Sequence, residues 1–141
     1  MRSLRLFALA IPVLTLLTFA CWSGSAAAAD SVSGKWLSPG PSAAKKNPIA
    51  STPESIAAGQ KIYSKTCLMC HGKSGDADGP AVIELNIHPA KLSDPQLATE
   101  SDGALFWKIT TGKKPMPAFG KRFSETDRWN LVNYIRTLPK R

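Results

Sequence analysis

Cys67-Leu68-Met69-Cys70-His71 is the stretch of this 141-residue chain whose residue types and spacing carry the most chemistry. On one helical turn, residues i and i+3 project to the same side. Two thiols so placed can add across the two vinyl groups of a haem. The histidine directly after the second thiol then brings an imidazole nitrogen under the ring toward the iron, which makes this the c-type haem attachment pattern. Two other chemistries use a Cys-x-x-Cys pair. A structural zinc site needs four ligands, and only Cys21 and His88 stand out as candidates to complete one. A thioredoxin-like redox dithiol needs a βαβ context, and no such pattern is present in the sequence.

A second candidate lies in Gly112-Lys113-Lys114-Pro115-Met116-Pro117-Ala118-Phe119-Gly120. The two prolines fix φ and prevent a helix on either side of Met116, so the expectation is a stiff, extended loop. A methionine ordered in a loop loses rotamer entropy. A thioether held against a haem iron accounts for both the residue and its rigid flanks; the alternative is an ordinary buried methionine in a turn. His88 reads as a surface or supporting residue rather than as a ligand. The second ring nitrogen of His71 needs a fixed acceptor, and a carbonyl near Pro80 is the expected one.

The elements that must position these groups are helical. Thr52 is a good N-cap, Pro53 suits the first helical position and Glu54 favours the positive helix end. Ile56, Gly59, Ile62 and Tyr63 then recur at helical spacing. A glycine inside a helix costs about 1 kcal/mol relative to alanine, so Gly59 predicts a close crossing by another helix. Gly72 to Pro80 must be a loop. Ala81 to Ile87 reads as a short helical turn, broken at His88-Pro89. Ser93-Asp94-Pro95 caps another short helix to about Thr99. Ser101-Asp102 opens a clearer helix, with Leu105, Phe106 and Ile109 inward and Gly112 just past its end. The last helix starts at a Ser124/Asp127 capping box. It presents Trp129, Leu131, Val132, Tyr134, Ile135 and Leu138, and stops at Pro139. It is the expected partner of the first helix, with Tyr134 and Ile135 crossing near Gly59 and Tyr63.

Ahead of this domain, Arg2 and Arg5, an apolar run from Leu6 to Ala20 and a small-residue stretch ending at Ala29 follow the order of a secretory signal peptide over 1–29. Lipidation at Cys21, or retention of the segment as an anchor, are the alternatives. Without Cys21 only Cys67 and Cys70 remain, too few for a disulfide-stapled exported domain, so both thiols are expected to be consumed by haem. Residues 30–51, rich in Ser, Gly and Pro, read as a flexible linker; Trp36 and Leu37 are its only sizeable apolar pair, with packing on the domain, on a partner or on nothing all open. Residues 52–141 form the expected folded domain. The formal charge of +8 points to acidic protein partners or an anionic membrane face, with ordinary solubility as the alternative. Dispersed lysines on an exported chain argue against nucleic acid.

In Gly59 and Tyr63, Cys67-x-x-Cys70-His71, Gly79-Pro80, Met116-Pro117 and Leu131-Val132-x-Tyr134-Ile135, the chain resembles a class I c-type cytochrome, specifically a small bacterial monohaem one. These motifs span roughly residues 52 to 138 in the family's order. The resemblance implies an all-α cytochrome c-like fold of three main helices plus short helical turns around one covalent haem c. Cys67 and Cys70 would be its thioether attachments, His71 the proximal ligand and Met116 the distal ligand. The expected signal peptide places the protein in the periplasm, and with the resemblance the expectation is a monomeric electron carrier rather than an enzyme, serving redox partner proteins. The alternatives are a haem subunit of a larger membrane-associated oxidoreductase, a haem-based sensor of small ligands, or a peroxidase.

Overall fold

The computed structural model describes residues 36–140. The expected signal segment over 1–29, the Cys21 alternative and the first residues of the expected linker lie outside the described residues. Within them the chain is helical, with α1 (Gly40–Ala43), α2 (Pro53–Thr66), α3 (Leu68–His71), α4 (Ala81–Glu84), α5 (Pro95–Thr99), α6 (Asp102–Thr111) and α7 (Glu125–Thr137). The only β-pairing among them is an isolated antiparallel bridge between Lys113 and Met116. This is an all-α fold, and no described helix is long and apolar enough to cross a membrane.

Side-chain capping starts the long helices where the sequence places them. Thr52 Oγ1 accepts the Ser55 N–H at 3.2 Å, and Ser101 Oγ accepts the Ala104 N–H at 3.2 Å. Ser124 and Asp127 form the reciprocal capping box of α7. The first turn of a helix leaves N–H groups without partners inside the helix, and these oxygens satisfy them.

The most extensive helix contact is α2 on α7. Gly59 makes it close, because a Cβ there would lie 2.1 Å from the Asn130 carbonyl oxygen and 2.8 Å from Tyr134 Cβ. The Tyr63 and Tyr134 rings meet at the same crossing with centroids 5.1 Å apart. α7 then closes over α6, where Phe106 stacks on Trp129 at 4.0 Å. The core is Tyr63, Leu105, Phe106, Ile109, Phe119, Trp129, Leu131, Val132, Ile135 and Leu138.

Residues 36–51 depart from the expected flexible linker. They form a strap laid across α6 and α7. Trp36 packs on Trp107 with ring centroids 5.9 Å apart. Ser101 Oγ donates to the Ala43 carbonyl at 2.6 Å, and a Cβ on Gly103 would meet the Ser42 carbonyl at 2.4 Å. Lys45 reaches Glu125 at 2.6 Å, and Asn47 donates to Asn133 Oδ1 at 2.7 Å. The strap has no periodic pattern to reveal this, because its anchors are single polar and aromatic contacts.

Candidate functional site

α2 delivers the first thiol and α3 the rest of the constellation. The Cys67 N–H closes the last turn of α2 on the Tyr63 carbonyl at 2.8 Å, and the Cys67 carbonyl accepts the N–H groups of Cys70 at 3.2 Å and His71 at 2.9 Å. The pentapeptide is therefore one helical turn, with the two cysteines at i and i+3. Both thiols are free and half-buried. Burial, and secondarily the neighbouring Cys70, pushes the Cys67 thiol up to about 12. A dithiol built for disulfide exchange needs the opposite shift. The zinc reading fares no better: His88 is exposed, and no group of three or more His, Cys, Asp or Glu is placed to hold a metal among the described residues.

His71 is fixed by a backbone carbonyl, as expected, but not by one near Pro80. Its Nδ1–H donates to the Ala90 carbonyl at 3.0 Å, which leaves Nε2 with its lone pair free. Pro80 serves instead as the N-cap of α4, and the chain returns to the imidazole only after that helix. The returning segment is held by Leu92 and Ser93, whose N–H groups donate to the Gly75 carbonyl at 2.7 and 3.1 Å. Ser93 Oγ also donates to Asp76 at 2.6 Å. Burial lowers the proton affinity of the imidazole, with the Ala90 carbonyl pulling the other way. A neutral ring with one nitrogen engaged and the other free is the state in which histidine binds a metal.

The loop after His71 is pinned by Tyr63, whose hydroxyl donates to the Gly72 carbonyl at 2.7 Å. Neither the Ala90 carbonyl nor the Ser93–Asp76 bond is visible in the sequence. Ser93 reads there only as part of a cap, and nothing in its spacing marks it as one of the most buried side chains, at 2% exposure.

Met116 sits in a closed turn rather than an extended loop. Lys113 and Met116 exchange backbone bonds, Lys113 N–H to Met116 O at 3.1 Å and Met116 N–H to Lys113 O at 2.8 Å. The turn leaves α6 at Gly112, which has φ +62°, a left-handed conformation that glycine adopts without strain. Met116, Cys67 and Leu68 all pack on the same buried core cluster. The fold thus brings the thioether and the first thiol of the attachment turn to one apolar body, with His71 on that same turn. Two free thiols one turn apart, an imidazole oriented through its far nitrogen and a soft thioether form a donor set suited to a covalently held iron porphyrin.

The long helix α2 running into the Cys-x-x-Cys-His turn of α3 and crossed at Gly59 by α7, with a methionine turn between α6 and α7, defines a class I c-type cytochrome. The comparisons with known proteins agree. The model of the family described as cytochrome c oxidase, cbb3-type, subunit III matches residues 54–135, and the chain belongs to this family. It is 32% identical over 79 residues to cytochrome c6 of Alaria esculenta, covering 56% of this chain and 86% of that protein. It is 34% identical over 80 residues to cytochrome c6 of a Synechococcus strain, covering 57% and 67%. Among solved structures it is similar to a chain of the Kuenenia stuttgartiensis reducing HAO-like protein complex, with a TM-score of 0.57 and 32% identity. That match covers 66% of this chain and 47% of the other, so the chain spans about half the length of that solved relative. The protein is a small c-type haem protein of the electron-transfer kind.

Proposed function

We propose that this protein is a periplasmic carrier of single electrons, not an enzyme, built on one covalent haem c. Cys67 and Cys70 form the thioether bonds, His71 is the proximal ligand and Met116 the distal one. The observation that carries this reading is the His71 imidazole, oriented by Ala90 at 3.0 Å on the turn that presents both thiols. When bound, the haem supplies an iron that takes up and releases one electron, and a thioether ligand favours its reduced form. The chain's own residues hold and shield that group. Ala90 fixes the ring of His71, Tyr63 holds the backbone after it, and Met116 and Cys67 pack on the buried core cluster.

Export of the chain through residues 1–29 fits this reading, because covalent haem attachment of this type occurs outside the bacterial cytoplasm. Exposed lysines close in sequence to the ligand segments fit redox partners with acidic docking faces, and a monomer is the expected free form.

The decisive experiment is spectroscopy of the purified protein in both oxidation states, with intact mass. Mass should rise by one haem, and the oxidised protein should show a thioether-to-iron charge-transfer band that Met116→Ala removes. Cys67→Ala with Cys70→Ala should leave no covalent haem. A colourless product from cells competent in haem attachment would end the proposal.

A second reading has specific support. The matching family is described as an oxidase subunit, and the similar solved chain comes from a multi-protein complex. In that reading the same haem domain is a fixed subunit of a larger oxidoreductase. Native mass of the protein purified from its own membranes and soluble fraction separates the two.

A further inference from the structure

Arg128 stands in an unfavourable place for a cation by helix rules. It is in the N-terminal part of α7, near the positive end of the helix dipole, yet it is only 8% exposed. Buried charges are retained where hydrogen bonds hold them. Its Nε–H donates to the Ser124 carbonyl at 3.3 Å, and one terminal nitrogen donates to Thr110 Oγ1. The guanidinium lies 4.6 Å from the Phe106 ring centroid, in the range of a cation–π contact.

These two hydrogen-bond partners bracket the methionine turn. Thr110 lies in the last turn of α6, immediately before the turn begins, and Ser124 is the N-cap of α7, immediately after it ends. One guanidinium therefore joins both ends of the segment 111–123. The segment is also hung on the last carbonyls of α6, which have no partners inside the helix. The Phe119 N–H donates to Ile109 O at 3.1 Å and the Gly120 N–H to Thr110 O at 3.0 Å. Thr110 thus takes the returning backbone on its carbonyl and Arg128 on its hydroxyl. The negative end of the α6 dipole also explains why a cation is stable there.

We propose that Arg128 is a positioning residue for Met116, clamping the base of its turn through Thr110 and Ser124 so that the thioether stays at the iron. The proposal rests on Met116 being the distal ligand. Without the clamp, the turn opens more often and the iron's sixth position becomes available to an outside ligand. Apparent affinity for that ligand scales with the fraction of molecules open.

The test is imidazole titration of the oxidised haem-loaded protein at fixed pH, read by the shift of the main haem absorption band in every variant and, where the thioether-to-iron band is present, by its loss as well. Thr110→Val should bind imidazole about tenfold more tightly than wild type, as expected for loss of one charged hydrogen bond, and Arg128→Gln, which also loses the bond to Ser124, at least as tightly as Thr110→Val. The double variant should bind little more tightly than Arg128→Gln alone, since the bond that Thr110→Val removes is already lost in Arg128→Gln. Ser101→Ala weakens the opposite end of α6 and should leave imidazole affinity unchanged while lowering the unfolding midpoint. If Arg128→Gln does not fold, Thr110→Val carries the test, because valine keeps the shape of threonine. Imidazole affinities within twofold of wild type in the clamp variants, or a shift in Ser101→Ala as large as theirs, would overturn the clamp while leaving the ligand assignment standing. A wild type with no such band, and no tightening in Met116→Ala, would instead overturn the ligand assignment and the clamp with it.

Discussion

The carbonyl oxygen of Asn130 lies 2.1 Å from where a Cβ on Gly59 would stand. A hydrogen is the only side chain that fits between α2 and α7 at this point, so the helices approach backbone to backbone. Gly59→Ala would gain about 1 kcal/mol of helix propensity. Against this, the clash involves backbone, which cannot move aside as a flexible side chain does, and overpacking costs about 1–3 kcal/mol or more. The expected outcome is a net destabilisation of about 2 kcal/mol in denaturant unfolding. Stability equal to wild type would show that the crossing is looser than this geometry.

Exposed lysines close in sequence to the attachment turn and the methionine turn give a kinetic prediction. Lys65 and Lys73 flank the attachment turn, Lys113 and Lys114 lie in the methionine turn, and Lys121 follows it; all five are exposed. Exposed charges steer an oppositely charged partner from a distance, and salt screens them with a length of about 8 Å at physiological ionic strength. Electron transfer with an acidic partner should slow as salt rises. Lys113→Glu with Lys114→Glu should slow it about tenfold at low salt and much less at high salt. Lys46→Glu, in the strap, should have a far smaller effect. Stopped-flow rates across an ionic-strength series decide this, and rates indifferent to salt would count against the steering role.

The helices and the attachment turn are legible in the sequence because their signals are local. A cap, a period of 3.6 and a Cys-x-x-Cys-His turn each lie within a few residues. Gly59 points to a partner across the fold because a mid-helix glycine weakens its own helix and is worth keeping only where a neighbour comes close. The parts that are not legible depend on contacts between distant segments. The Ala90 carbonyl reaches His71 only because Leu92 and Ser93 are tied back to Gly75, and no local pattern encodes that return. Prolines around Met116 signal rigidity but not shape, since they bound a closed turn. The strap is hidden for a related reason. Ser, Gly and Pro report the absence of a regular element, whereas Trp36, Lys45 and Asn47 fasten to partners far along the chain.

Tyr63 supplies a pH dependence. Its side chain is 1% exposed, and burial, more than the nearby Cys67, raises its hydroxyl pKa well above the usual 10. An unfolded tyrosine loses its proton near pH 10, while the folded one keeps it. Above that pH the folded state binds more protons than the unfolded state, so stability falls as pH rises. The contribution is fully present below about pH 10 and is lost through the range above it. Tyr63→Phe should flatten this part of the alkaline decline. At neutral pH it should cost about 1 kcal/mol for the lost bond to Gly72. Unfolding free energies of both proteins at pH 8 and above pH 10 test it; parallel declines would show that Tyr63 does not titrate on unfolding.

Asn133 gives the strap its energetic test. The residue is 4% exposed on α7. Its side-chain nitrogen donates to Ser55 Oγ at 2.7 Å and to the carbonyls of Ile49 and Ala50 at 3.2 and 3.3 Å, and its oxygen accepts from Asn47 at 2.7 Å. One amide therefore joins α2, α7 and the strap, in a network whose members depend on each other. Asn133→Ala takes one partner from the buried Ser55 hydroxyl, which keeps its bond to Asn130, and from the part-buried Asn47 and Ile49, at about 1–3 kcal/mol for each group that neither water nor another partner reaches. The expected loss is about 2–4 kcal/mol, with early proteolytic cleavage within residues 36–51. Asn47→Ala removes only the strap's side of the network and should cost less, while producing the same cleavage. Strap and helices would then be coupled through a single side chain, and the double variant should lose less than the sum of the two. Additive losses, or a strap that resists protease in both variants, would mean that residues 36–51 are held by Trp36 and Lys45 instead.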